Sequence, residues 1–141
     1  LQSVYDQGIA NVVLTDSTRS LDELNLFFER AHLLRYIQPA GIYASTTLET
    51  TKPDPLFFGK PLEDLKIIPE QALFVGHSLD ELAGAYASGL RVAAVNYDPE
   101  LRTSGELAFL ERERGDKGHF LENIGSLKAL VRKLNRKETH D

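Results

Sequence analysis

Short apolar runs alternate with longer amphipathic stretches along most of the chain, and the two periods predict strands and helices in turn. Asn11-Val12-Val13-Leu14-Thr15 is a short run with an apolar, largely β-branched centre, as a buried parallel strand requires. Gly41–Ser45, Ala72–Val75, Arg91–Val95 and His119–Leu121 carry the same signature. Between them lie helical patterns. Ser3 to Gln7 reads as a helix end closed by Gly8. Ser20 and Glu23 have capping-box spacing, and apolar Leu21, Leu24, Phe27, Phe28, Ala31 and Leu34 follow before Pro39 stops the helix. Asp54 can cap a third helix with Pro55 in its first turn, running towards Leu65. Further helices are predicted over Leu79–Ser88 (closed by Gly89), Glu106–Arg114 and Ile124–Asn135. Alternation at this spacing implies right-handed βαβ units, and so an α/β fold with one parallel sheet.

Composition narrows the class. A chain of 141 residues is the size of a single domain, here taken as 1–141, and 42% hydrophobic with 26% charged residues is ordinary for a packed globule. The net charge of −5 excludes an obvious nucleic-acid footprint. Lys128, Arg132, Lys133, Arg136 and Lys137 are spaced like the solvated face of a terminal helix. Cysteine is absent, which removes disulfides and zinc–thiolate sites. No apolar run reaches the ~20 residues of a bilayer span, so a cytoplasmic protein without a membrane partner is expected. The chain starts at Leu1 and has no methionine, which points to a processed or excised piece.

Chemistry concentrates at predicted strand ends. Thr15 closes the first strand and is followed by Asp16 and Ser17. Lys52 lies in Lys52-Pro53-Asp54-Pro55, just before a helix. The Ala72–Val75 strand opens into Gly76-His77-Ser78-Leu79-Asp80-Glu81. A lysine in a partly dry site is a compact point charge able to balance several phosphate oxygens. Carboxylates at a neighbouring strand end are what metal-assisted phosphoryl chemistry needs. Each element also has a plain structural reading: a threonine ending a strand, a surface lysine before a cap, and Ser78 with Glu81 as a capping box.

Taken together, residues 1 to about 125 resemble the haloacid dehalogenase-like (HAD) hydrolases, with the likeness densest over 52–95. The resemblance implies a three-layer α/β/α Rossmann-like core with a parallel sheet, supplied here without its first, nucleophile-bearing strand and without the cap. It implies that Thr15 binds the phosphoryl group with Asp16 and Ser17 beside it, and that Lys52 balances charge. Asp80 and Glu81 would support Mg²⁺. His77 departs from the family pattern, standing where an aspartate usually binds the metal; imidazole suits softer ions. Asp16-Ser17-Thr18-Arg19-Ser20 superficially resembles a nucleophile motif, but that reading leaves no second motif before Lys52.

The function implied is a phosphomonoesterase-type hydrolase acting on a small phosphorylated metabolite, inactive until an aspartate-bearing segment or second chain completes the sheet. A catalytically silent HAD-like binding or assembly module is the alternative; a 2-haloacid dehalogenase is a third. Removing the nucleophile strand from the family's strand order should leave two half-sheets with unpaired inner edges.

Overall fold

The computed structural model describes residues 2–15, 20–37, 41–44, 55–112 and 117–140. Among the described residues, fifteen regular elements follow in chain order. They are α1 (Gln2–Tyr5), β1 (Val13–Thr15), α2 (Leu21–Arg30), β2 (Ile42–Ala44), α3 (Pro55–Leu65), β3 (Leu73–Gly76), α4 (Leu79–Ala87), β4 (Arg91–Ala94), α5 (Pro99–Thr103), α6 (Ala108–Arg112), β5 (Gly118–Phe120) and α7 (Leu127–His140), together with the 3₁₀ turns at Leu34–Tyr36, Pro69–Gln71 and Ile124–Ser126, which join them.

The described strands form two sheets, β1-β2 and β3-β4-β5, and every pairing is parallel. This is the expected α/β class, and among the described residues the two sheets share no strand pairing. Helices cover both faces, which the alternation within β4 makes plain. Val92 and Ala94 join the core of Phe58, Phe74, Leu82, Ala85, Leu107 and Leu110 on one side. Ala93 and Val95 join Leu121 on the other, against Leu127 and Leu130 around the start of α7. Because both faces are dry, β4 needs small and β-branched apolar residues throughout. A separate cluster of Leu24, Ile37 and Ile42 seats α2 on the β1-β2 pair.

Local chemistry sets the boundaries. Ser20 caps α2, its hydroxyl accepting from the Glu23 N–H at 3.2 Å, as the capping-box spacing predicts. That helix ends at Arg30, earlier than its apolar period suggests, because His32 takes a left-handed backbone with φ 59°. The short α5 is unheralded by hydrophobic period and depends on Asp98, whose carboxylate accepts from the Glu100 N–H at 3.0 Å, with Pro99 in the first turn. The last helix runs on to His140, beyond the expected end near Asn135.

Candidate functional site at the carboxyl rim

Parallel α/β sheets gather their chemistry where strands end and helices begin. Thr15 is the last residue of β1 and pairs with Ala44, the last residue of β2. The two strands of the small sheet therefore end at the same level. Gly76 ends β3 opposite Ala94. Lys52, Asp16, Ser17 and the capping residue Asp54 lie outside the described residues, as does the side chain of Thr15.

The Gly76 turn is fully described. A Cβ at Gly76 would lie 2.7 Å from Cε1 of Phe74, two residues earlier on the same strand face. The glycine is thus dictated by the buried phenyl ring beneath it. His77 is exposed and Ser78 half-buried. Ser78 occupies the N-cap of α4, but its hydroxyl makes no capping bond, so the Ser78–Glu81 capping box expected from sequence is not formed. The helix instead starts on the Ser78 carbonyl, which accepts from the Leu82 N–H at 2.9 Å. Asp80 and Glu81 in the first turn favour the positive end of the helix dipole. Asp80 is exposed and Glu81 half-buried.

Asp80 and Glu81 are neighbours on α4, where successive side chains leave the helix about 100° apart. Among the described residues, no group of three or more His, Asp or Glu side chains is placed to hold a metal. The described donors therefore do not fit Mg²⁺ by themselves.

Two features of the surroundings were not legible in the sequence. Tyr43 on β2 donates from its hydroxyl to Oδ2 of Asp64 on α3 at 2.8 Å, and Lys60 pairs with the same carboxylate at 3.2 Å. Burial, then the Asp64 hydrogen bond and charge, push the Tyr43 hydroxyl up to about 12. The same hydrogen bond, followed by Lys60, holds Asp64 below the usual carboxylate range. This contact ties together the two elements that flank the Lys52 segment. Beyond β4 and β5, a cavity of about 600 Å³ is lined by Asn96, Tyr97, Arg102, Glu111 and Glu122 among others. Arg102 lies 4.0 Å over the Phe120 ring and donates to Glu111 at 3.0 Å, so its charge is already matched. A larger cavity of about 1090 Å³ opens beside residues leading into β1 and β2, including Asn11, Gly41 and Ile42. It adjoins the strand starts, whereas the chemistry gathers at their ends.

Residues 1–95 match the family model for haloacid dehalogenase-like hydrolases. The chain belongs to that family. The HAD assignment agrees with the fold of solved structures. L-2-haloacid dehalogenase from Xanthobacter autotrophicus superposes with a TM-score of 0.68 at 22% identity, over 92% of this chain and 58% of that one. A HAD phosphatase from Thermococcus onnurineus gives 0.68 at 20% identity, covering 92% and 54%. A HAD hydrolase from Bacillus subtilis, solved with magnesium bound, gives 0.68 at 14% identity, covering 93% and 51%. The HAD chain thus spans a little over half the length of these relatives. No curated protein matches its sequence. Among the described residues, no helix is long and apolar enough to cross a membrane.

Proposed function

We propose that this chain carries the phosphoryl-binding part of a phosphomonoesterase-type HAD hydrolase that acts on a small phosphorylated metabolite in the cytoplasm. The observation that supports this reading most is the Thr15–Ala44 register, which ends β1 and β2 at one level, with Asp16 next in sequence after the first strand and Lys52 eight residues after the second. In this reading Thr15, with Asp16 and Ser17, hydrogen-bonds the phosphoryl oxygens. Lys52 offsets the charge that gathers on them as the ester bond breaks. The attacking carboxylate comes from a segment or chain other than the residues described. Magnesium, if used, would need oxygens from that carboxylate and from the substrate, with Asp80 and Glu81 assisting through water.

The test is hydrolysis of a generic aryl phosphate with Mg²⁺. The chain alone should give no turnover; the chain joined to an aspartate-bearing strand should give turnover that Lys52→Ala abolishes. Metal-dependent turnover by the chain alone would contradict the proposal and make Asp16 the nucleophile. His77, standing where an aspartate usually binds the metal, favours a second reading, a metal-independent 2-haloacid dehalogenase, which chloride release from 2-chloropropionate under the same conditions would reveal. Neither activity from the completed protein would leave a silent binding module.

A further inference from the structure

Charge is spread unevenly over the helices. The last helix, α7, holds five basic residues and one acidic one, a local charge of +4; the whole chain carries −5, which leaves −9 elsewhere. Lys128, Arg132 and Lys133 are exposed along α7, and α2 displays Asp22, Glu23 and Glu29, also exposed. Among the described residues, no ion pair engages any of these six side chains.

Each charged face has an uncharged residue at its centre. Successive helical residues lie about 100° apart, so a residue two places from a buried one looks outward. Leu26 lies two places from both buried Leu24 and half-buried Phe28, and it is 44% exposed; Phe27 beside it is 52% exposed. Asp22 and Glu23 stand one turn before Leu26 and Glu29 one turn after it, with Arg30 the one cation of that helix. Ala129 lies two places before buried Val131 and is exposed, with Lys128 adjacent and Arg132 and Lys133 one turn on. An apolar knob ringed mainly by acids and a small seat ringed by bases match in shape and in sign.

Packing puts both helices on one side of the sheets. Leu14 and Phe74 point into the core that contains Phe58 of α3 and Leu82 of α4. Side chains alternate along a strand, so Val13, Leu73 and Val75 point the opposite way. Val13 meets the Leu24 cluster that seats α2, and Leu73 and Val75 meet the Ala93–Val95–Leu121 cluster against α7. The short α1 packs against α7, where the Gln7 side-chain amide donates to the Lys128 carbonyl at 3.4 Å.

We propose that this side of the molecule is an interface between two copies of the chain related by a twofold axis. Leu26 of each copy sits over Ala129 of the other, and the acids of α2 face the bases of α7. The twofold arrangement makes every contact twice, so exposed charges that are worth little singly act as two matched sets.

Sedimentation equilibrium of the full chain tests this. The mass should rise with concentration from 15.8 kDa towards twice that value. Raising the ionic strength from about 0.1 M to about 1 M shortens the Debye length from about 10 Å to about 3 Å, and should weaken association at least tenfold. Leu26→Ser should weaken it by a similar factor while the chain keeps the far-UV spectrum of the folded parent, because the side chain is exposed. Charge reversal is the sharper comparison. Glu23→Lys with Glu29→Lys should give a folded monomer, and so should Arg132→Glu with Lys133→Glu. Mixed in equal amounts, these two variants should pair, because one acid–base contact of the heterodimer is then native and the other is reversed on both sides. A folded chain that stays monomeric at millimolar concentration would overturn the proposal. So would reversed variants that still self-associate, folded variants that fail to pair when mixed, or concentration-dependent amide shifts away from α2 and α7. Co-sedimentation with phosphatidylserine vesicles, without self-association, would give the basic face to an anionic surface and overturn it as well.

Discussion

Gly76→Ala sets two effects of known sign against each other at the heart of the candidate site. Gly76 does not have a left-handed backbone, so an alanine fits its conformation and should stabilise by about 0.4–1 kcal/mol through the unfolded chain. Against this, the new methyl would lie 2.7 Å from Cε1 and 3.0 Å from Cζ of Phe74. That ring cannot easily retreat. It is 8% exposed and packs edge-on to Phe58, with centroids 5.4 Å apart and planes at 89°. Overpacking of this kind typically costs about 1–3 kcal/mol. The clash should win, leaving the variant about 0.5–2 kcal/mol less stable. Urea unfolding checks this, through a lower midpoint at unchanged slope. Combining the change with Phe74→Leu should recover stability, giving a coupling of at least about 0.5 kcal/mol in a double-mutant cycle. A variant as stable as the parent, or strictly additive effects, would show that the phenyl ring does not dictate the glycine.

Gly118→Ala should cost more, about 3 kcal/mol or above, because its methyl would meet Leu110 backbone at 2.5 Å, and backbone cannot rotate aside; the same urea titration reads it. Leu82→Ala, at a fully buried position, should cost about 2–5 kcal/mol in that assay. Tyr43→Phe should cost about 1 kcal/mol at neutral pH through the lost 2.8 Å hydrogen bond, or a fall of about 3 °C in Tm. Raising a tyrosine from its usual value of about 10 up to about 12 stabilises its neutral form, so this contribution is intact below pH ~10 and disappears as pH climbs towards ~12. Thermal melts across that interval should show a steeper decline in the parent than in Tyr43→Phe.

The parts of this fold that could be read from sequence are those whose signals are local. The β-branched run before Thr15, the Ser20–Glu23 cap and the Pro55 start each encode their element within a few residues, and each appears where expected. The half-sheet division follows as well, from strand order and not from any single residue. What escaped reading depends on contacts between distant positions. Tyr43 and Asp64 look unremarkable apart and become a tether only when α3 folds back on β2. The left-handed turn at His32 interrupts a hydrophobic period that would otherwise continue, a case of tertiary context overriding pattern. At Ser78 the spacing for a reciprocal cap is present, but the side chain is not used for it.

The unequal interiors of the two sheets have a consequence for how the molecule comes apart. Among the described residues, Leu24, Ile37 and Ile42 offer far less apolar packing than the Phe58–Leu110 cluster, so the β1-β2 portion should open at a lower free energy, as a subglobal unit of its own.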